Sequence, residues 1–137
     1  KYYQDPRKVF TMHNAVSPLP KEIQDIQVKK NPKEKIVTFL GRITMQKGPE
    51  YFVEAAAMVL NRTRNIRFVM AGSGDMMNAM IRLAAERGIA DRFHFPGFMK
   101  GKQVYEVLKM SDVYIMPSVS EYFTIGSYAM LCTDDYL

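Results

Sequence analysis

The segment 36–50, with the sequence IVTFLGRITMQKGPE, decides the fold more than any other part of this chain. Its first five residues form an apolar run rich in β-branched side chains, which is typical of a buried strand. The run ends at Gly41, and Gly48-Pro49 opens a helical pattern seven residues later. Proline suits the first helical position because the N–H that it lacks would have no partner inside the helix. The segment therefore predicts a strand, a glycine turn and a helix N-terminus in succession.

Two basic side chains, Arg42 and Lys47, lie between that strand and that helix. A helix N-terminus offers unpaired backbone N–H groups and a partial positive charge, and the two side chains add full charges. Basic loop residues are more often simply solvated, but open α/β sheets bind ligands beyond the carboxyl ends of their strands. This position favours an anion site for a phosphate or diphosphate, formed by the Gly41 turn, Arg42 and Lys47.

Strands and helices alternate through the rest of the chain. The first helix is expected from about residue 49 to residue 60, a second follows Asp75 as its N-cap and stops at Gly88, and a third includes Val104 and Val107. Further strands are expected at 66–71, 93–95 and 113–116. Such alternation is typical of right-handed βαβ units. The predicted fold class is α/β, with a Rossmann-like parallel sheet and flanking helices. The apolar face of the first helix would contain Phe52, Val53, Ala56, Val59 and Leu60.

Length and composition limit the function classes. A chain of 137 residues with 47% hydrophobic side chains fits one globular domain. The net charge is +5, and the surplus is in residues 1–64, which hold 12 Lys and Arg against 6 Asp and Glu. A phosphorylated small molecule or an acidic membrane surface would suit such a basic half. We expect no nucleic-acid partner, because the sequence shows no recognition helix, zinc finger or aromatic RNA-binding motif.

Cysteine usage and hydropathy bear on the compartment. Cys132 is the single cysteine, so no intramolecular disulfide framework is expected. No apolar run approaches the roughly 20 residues that cross a bilayer, and no signal peptide precedes the first predicted strand. These features favour a cytoplasmic location.

Four segments, 41–48, 72–75, 96–101 and 117–121, follow the carboxyl ends of the four predicted strands. In a parallel sheet they share one edge, where a ligand would meet cations, glycine backbone, an aromatic ring and the carboxylate of Glu121. The Gly72-Ser73-Gly74 turn is not the dinucleotide fingerprint, because Met77 occupies the place of the third glycine. A tight turn is the simpler interpretation of these glycines. Glu121 is either a solvated acid or a hydroxyl-binding or catalytic one.

With these residues in place, the chain resembles the C-terminal domain of a GT-B glycosyltransferase, in retaining family 4, the glycosyl transferases of group 1. Four segments are similar to motifs of that family: FLGR with KG at 39–48, VMAGSG at 69–74, DRFHFPG at 91–97, and SDV with MPS and E at 111–121. Segment 9–16 resembles the strand and turn that join the two domains, with His13 and Ala15 replacing Pro and Gly.

The resemblance implies a donor site for a nucleotide-activated sugar. Arg42 and Lys47, with Gly41, would bind the diphosphate and stabilise the leaving nucleotide. Glu121 matches the family acid that contacts the donor sugar, and is the expected catalytic residue. Transfer in this family retains the anomeric configuration, needs no metal or cofactor beyond the nucleotide diphosphate-sugar co-substrate, and serves carbohydrate biosynthesis. The residues expected to bind the nucleotide or sugar are Gly72, Gly97, Phe98 and Ser118.

The chain departs from the family pattern after Glu121. The second family acid, expected on the ribose hydroxyls, is replaced by Ala129. Residues 1–35 correspond to the interdomain connection and linker, and residues 36–137 to a partial donor-binding domain. The resemblance thus implies a fragment, inactive alone, of a parent enzyme that has an N-terminal acceptor-binding domain and peripheral membrane contact.

Two alternatives remain open on the sequence. One is a non-catalytic Rossmann-like domain that binds a nucleotide or phosphate; a receiver-type domain lacks its strand-end Asp here, and a dinucleotide domain lacks its full glycine fingerprint. The other is a degenerate relative without catalysis, which Ala129 motivates. Restoring the glutamate at position 129 and regaining nucleotide binding would distinguish the degenerate relative from the donor-binding domain of an active transferase.

Overall fold

The computed structural model describes residues 27–29, 31–119 and 130–131. Two single-turn 3-10 helices, Met45–Lys47 and Ala90–Arg92, lie between the longer elements. In chain order, the longer elements are β1 (Lys35–Leu40), α1 (Pro49–Leu60), β2 (Ile66–Ala71), α2 (Met77–Glu86), β3 (Phe93–Gly97), α3 (Lys102–Met110), β4 (Val113–Tyr114) and β5 (Met130–Leu131).

The described residues form a five-stranded sheet with the order β3-β2-β1-β4-β5. The first four strands of that order are parallel, and β5 pairs antiparallel with β4. β1 pairs along its whole length with β2, from Lys35 opposite Ile66 to Leu40 opposite Ala71. The predicted Rossmann-like α/β fold is therefore confirmed. The strand order reverses at β1, so β2 lies on one side of this strand and β4 on the other.

The larger part of the core lies on the face of the sheet that α1 and α2 cover. Phe52 of α1 is at its centre, with ring centroids 5.7 Å from Phe39, 5.8 Å from Phe68 and 6.0 Å from Phe93. Tilted and edge-on ring pairs at these distances stabilise the cluster beyond the area that they bury. Helix α1 is thus fixed against three strands, and its N-terminus is fixed with it.

The opposite face of the sheet is covered by α3, through Val107 packed with Val69 and Ala71. A buried polar contact joins the same two layers. The hydroxyls of Thr38 and Ser111 are 2.5 Å apart, and Ser111 Oγ donates to the Val107 carbonyl at 2.7 Å. Since Ser111 has one hydroxyl proton, Thr38 is the donor between the two hydroxyls. Helices on both faces explain why the strands are apolar on both sides.

The predicted strand at 113–116 is shorter in the structure, at Val113–Tyr114, and the strand predicted at 93–95 extends to Gly97. Two details of the helices also differ from the sequence prediction. Asp75 is not the N-cap of α2: the cap position is Met76, without a side-chain cap hydrogen bond. The Met76 N–H donates instead to the Ile43 carbonyl at 3.1 Å, so a neighbouring loop satisfies this donor. Val59 is 38% exposed, because it lies at the border of the apolar arc of α1.

The predicted stop of α2 at Gly88 is confirmed. The Gly88 N–H donates to Ala85 O at 2.9 Å, and the Ile89 N–H donates to Ala84 O at 3.0 Å. These two bonds form a Schellman motif, which requires the left-handed conformation that Gly88 adopts at φ +68°. Ile89 then returns the chain to the core.

Several predictions fall on residues outside the described ranges. They are the domain-joining segment 9–16 with His13, the catalytic acid Glu121, the substituted position Ala129, and Cys132. The predicted division of the chain into 1–35 and 36–137 stays a prediction. None of the described helices is long and apolar enough to cross a membrane.

Candidate functional site

Four loops follow the carboxyl ends of the parallel strands, and we call that end of the sheet the carboxyl edge. They are loop 1 (residues 41–48), loop 2 (72–76), loop 3 (98–101) and loop 4 (115–119). Loop 1 follows the central strand β1, so it lies between loop 2 and loop 4. The structure therefore brings the described parts of the predicted ligand-binding segments to one edge, with the basic segment in the middle.

Loop 1 continues the pairing of β1 with β2 beyond the ends of both strands. The Gly41 N–H donates to Ala71 O at 3.0 Å, and the Ile43 N–H donates to Ser73 O at 2.9 Å. The Ile43 side chain is fully buried in the core. The backbone on both sides of Arg42 is therefore fixed, while the Arg42 side chain is exposed.

Gly72 and Gly74 allow this close approach of the two loops. A Cβ on Gly72 would overlap the Gly41 carbonyl oxygen, and a Cβ on Gly74 would overlap the carbonyl oxygen of Ile43. A backbone oxygen cannot turn aside as a flexible side chain can. The sequence alone left open whether these glycines form a tight turn or contact a ligand. In the structure, the backbone of loop 1 occupies the space that a side chain at either position would need.

Loop 3 and loop 4 are joined to this pair by further backbone contacts. The Gly72 N–H donates to Gly97 O at 2.8 Å, where β3 meets loop 3. On the other side, the Val119 N–H of loop 4 donates to Gln46 O of loop 1 at 3.0 Å. Backbone hydrogen bonds thus connect all four strand ends in their spatial order.

A cleft of about 250 Å³ opens at the carboxyl edge on the β2 side of loop 1. It has a cationic and polar part, with Arg42 and Ser73, and an apolar part, with Phe98, Met99 and Val104. Phe98 is 70% exposed at the rim. The complete lining is Leu40, Gly41, Arg42, Gly72, Ser73, Phe98, Met99 and Val104. Such a cleft suits a ligand that has an anionic group at one end and a flat apolar ring at the other.

The structure brings four of the predicted site residues together in this cleft: Gly41, Arg42, Gly72 and Phe98. Sequence reasoning did not select the other lining residues. Two of them could have been predicted: Ser73 lies inside the glycine turn, and Leu40 is the last residue of a strand. The sequence around Met99 and Val104 does not indicate that their side chains face the cleft.

The other described site predictions, Lys47, Gly97 and Ser118, are not among the lining residues. Lys47 ends the 3-10 turn of loop 1 and is only 9% exposed. Ser118 lies in loop 4, and its hydroxyl is buried without a hydrogen-bond partner among the described residues. Gly97 contributes its carbonyl to the contact with loop 2. Their roles in ligand binding, and that of Glu121, stay predictions.

The positive charge of the cleft comes from Arg42, whose side chain is exposed. Arg42 makes no ion pair with any residue in the described ranges. Within the same ranges, no three His, Cys, Asp or Glu side chains gather in a way that would hold a metal ion. An anionic ligand at this cleft would therefore be met by the guanidinium of Arg42.

Comparison with known proteins finds glycosyltransferases among the relatives of this chain. The family model for glycosyl transferases of group 1 matches residues 20–127. An uncharacterized glycosyltransferase of Methanocaldococcus jannaschii is 34% identical over 127 residues, covering 86% of this chain and 32% of that protein. A D-inositol 3-phosphate glycosyltransferase of Gordonia bronchialis is 34% identical over 136 residues, covering 89% and 30%. The chain thus spans a third or less of the length of these curated relatives.

Solved structures share the fold. A mutant of S. aureus TarM, in complex with UDP, fondaparinux and alpha-GlcNAc-glycerol, superposes with a TM-score of 0.60 at 17% identity, over 77% of this chain and 20% of that one. The C-terminal domain of a glycosyl transferase group 1 family protein from Francisella tularensis gives 0.60 at 22% identity, over 66% and 49%. At these identities the likeness shows the fold alone.

Proposed function

Because this chain belongs to the glycosyl transferases of group 1, we propose that its carboxyl edge binds the nucleotide diphosphate-sugar donor of a retaining glycosyltransferase. The observation that carries the proposal is the cleft in which Gly41, Arg42, Gly72 and Phe98 meet. It combines a guanidinium with an aromatic ring, as a nucleoside diphosphate requires. The related S. aureus TarM was solved in complex with UDP.

The diphosphate is assigned to Arg42 and the backbone of loop 1. A guanidinium donates to phosphate oxygens in pairs, and such charge-assisted hydrogen bonds are about twice as strong as neutral ones. The N-terminus of α1, which follows loop 1, adds a partial positive charge. The nucleobase is assigned to the apolar part of the cleft, where the exposed ring of Phe98 offers a stacking surface.

The sugar and the reacting bond are assigned to the loop 4 side. Ser118 has a buried hydroxyl there, and Glu121 follows three residues later in the sequence. As the bond from the sugar to the diphosphate breaks, negative charge develops on the leaving phosphate. Arg42 and Lys47 stabilise that charge without a metal ion, which is how fixed cations lower a barrier. Glu121 acts on the donor sugar, and the anomeric configuration is retained.

The activity belongs to the parent protein in this proposal. The matched relatives are three times as long as the aligned part, or longer, and a second, acceptor-binding domain is assigned to the remainder. We expect this 137-residue chain to bind the donor without transferring the sugar. The basic first half would give the parent peripheral contact with an acidic membrane surface, in the cytoplasm, as part of carbohydrate biosynthesis.

Calorimetric titration of the chain with UDP, GDP and ADP tests the proposal. We expect at least one of these nucleotides to bind, and Arg42→Ala to weaken that binding about 10-fold or more, since hydrogen bonds to charged groups contribute roughly 1.5–3 kcal/mol. Arg64→Ala is the matched control, because Arg64 is also an exposed arginine but lies between α1 and β2, at the far end of the sheet. Equal binding by the Arg42→Ala variant and wild type would contradict the assignment.

The replacement of the second family acid offers a separate test. If Ala129 removes a contact to the ribose hydroxyls, Ala129→Glu should tighten binding of the same nucleotide. A 2′,3′-dideoxynucleotide, which lacks those hydroxyls, is the control, because its affinity should not change. An equal gain for both ligands would contradict the ribose assignment.

A further inference from the structure

Loop 1 and loop 4 make a contact that depends on the absence of a side chain at Gly48. A Cβ built on Gly48 would overlap the carbonyl oxygen of Pro117 in loop 4 and crowd the ring of Tyr51 at 2.9 Å. Two residues away, the Val119 N–H donates to Gln46 O at 3.0 Å. Loop 4 therefore lies directly on the loop 1 backbone, just before α1 begins.

We propose that Gly48 is a positioning residue of the donor site. In the absence of a side chain there, loop 4 rests against the N-terminus of α1, and this contact sets where Ser118 stands relative to the basic segment of loop 1. The inference rests on the proposed function, and it adds a role to a residue that makes no assigned contact with the donor.

Backbone conformation alone does not account for the contact. Gly48 has φ +60° and ψ +43°, the left-handed conformation that favours glycine at any position. Gly88 has nearly the same φ, +68°, but a Cβ there would meet no atom within 4 Å. The two glycines share the conformational requirement, and only Gly48 also supports a contact between loops. Comparing alanine at the two positions isolates the effect of that contact.

The contact is relevant to binding because a donor that spans the phosphate and sugar sides must meet both loops. When the loops are already fixed, the ligand does not have to order them, and less affinity is lost to conformational entropy. A side chain at position 48 would move loop 4 away from loop 1. The arginine cleft on the β2 side would remain, whereas the loop 4 side would lose its geometry.

The experiment compares wild type, Gly48→Ala and Gly88→Ala as ¹⁵N-labelled full 137-residue chains. Hydrogen exchange of the Val119 amide reports on the loop contact, and titration with UDP and UDP-glucose reports on the site. We expect faster exchange at Val119 in Gly48→Ala only. We also expect the affinity of that variant for UDP-glucose to fall about 10-fold or more, and its affinity for UDP to fall less. Gly88→Ala should bind both ligands as wild type does.

Val119→Pro is a second variant for the case in which Gly48→Ala does not fold. It removes the N–H that bonds to Gln46 without adding an atom at position 48, and Val119 is 55% exposed. It should show the same preferential loss of UDP-glucose affinity. Binding by Gly48→Ala equal to that by Gly88→Ala, or binding by Val119→Pro equal to wild type, overturns the inference. A wild type that binds no nucleotide overturns the proposed function instead, and the exchange rate at Val119 still tests the loop contact.

Discussion

At the amino edge of the sheet, where the parallel strands begin, charged side chains add contacts between strands to the backbone pairing. The Glu34 carboxylate accepts from Arg67 at 2.9 Å and from Arg92 at 3.3 Å, which joins the starts of β1, β2 and β3. Asp112 accepts from the Ile36 N–H at 2.8 Å and from Lys35 at 3.2 Å, which joins β4 to β1. The charges of this edge are largely used within the protein.

At the carboxyl edge, backbone groups and glycines make the equivalent contacts. Gly72 and Gly74 admit loop 1, and Gly48 admits loop 4. Because bare backbone holds this edge together, side chains such as Arg42 and Phe98 stay exposed to a ligand. The two edges are therefore stabilised differently. Charged side chains stabilise the amino edge, whereas close backbone packing stabilises the carboxyl edge and leaves side-chain charge there available to a ligand.

Among the substitutions that test this difference between the two edges, Gly72→Ala should have the largest effect on stability. Gly72→Ala should lower the free energy of unfolding by roughly 3 kcal/mol, because the new methyl overlaps the Gly41 carbonyl and the φ of +140° is unfavourable for alanine. Urea unfolding measures the change. Gly88→Ala is the matched control and should lose only about 1 kcal/mol, since its methyl meets open space. Similar losses at the two positions would show that backbone packing does not hold the carboxyl edge.

A smaller effect on stability is expected at the amino edge. Asp112→Asn keeps the shape of the side chain but removes the charge that accepts from Ile36 and Lys35, so it should reduce the free energy of unfolding by about 1.5 kcal/mol. Asp91→Asn is the control, because Asp91 is 65% exposed and should contribute little. Nucleotide affinity should be the same in both variants. A loss of affinity in Asp112→Asn would mean that the two edges are not independent.

Substitution of Phe98 should change the nucleotide affinity but not the free energy of unfolding, whereas substitution of Asp112 should do the opposite. Phe98→Ala is expected to weaken nucleotide binding by about 1 kcal/mol, roughly fivefold, through loss of a stacking surface. Met58→Ala removes another exposed apolar side chain, 71% exposed on α1, and should leave the affinity unchanged. Titration calorimetry and urea unfolding of both variants separate the two properties. A large drop in stability for Phe98→Ala would assign that ring to the core.

The smallest effect concerns pH at the amino edge. The hydrogen bond from Arg67 lowers the pKa of the Glu34 carboxyl below its ordinary value of 4.5, and the charge of Arg92 acts in the same direction. A lowered pKa in the folded state means that the stabilisation is complete above about pH 4.5 and is lost as the pH falls through the folded value. Glu34→Gln should therefore be slightly less stable than wild type at neutral pH and equal to it in strong acid. Unfolding midpoints that differ by a constant amount across this range would contradict the ion-pair explanation.

Much of the architecture was predictable because its determinants are local. The apolar run before Gly41 specified β1, and Pro49 specified the start of α1. The alternation of strands and helices predicted a parallel sheet, and a parallel sheet places all four loops at one edge. The resemblance to the glycosyl transferases of group 1 is confirmed by the family match over residues 20–127.

The unpredicted features depend on which segments approach each other in space. A sequence shows that position 72 is glycine, but not that the Gly41 carbonyl lies against it. Asp75 has the chemistry of an N-cap, yet loop 1 supplies the acceptor for Met76. Arg42 and Lys47 are equivalent in the sequence, whereas the fold exposes the first and largely buries the second. Tertiary contacts decide each of these outcomes.

The hydroxyl pair of Thr38 and Ser111 has a consequence for the dimensions of the cleft. Apolar contacts alone would allow α3 to slide along the sheet with little change in buried area, whereas a hydrogen bond inside the core permits one alignment. Val104, which lines the cleft, lies seven residues before Ser111, on the first turn of α3. A displacement of α3 by one helical turn, about 5.4 Å, would carry Val104 away from the cleft. Two buried oxygens at the far end of this helix therefore help to fix the position of Val104, and with it the depth of the apolar part of the cleft.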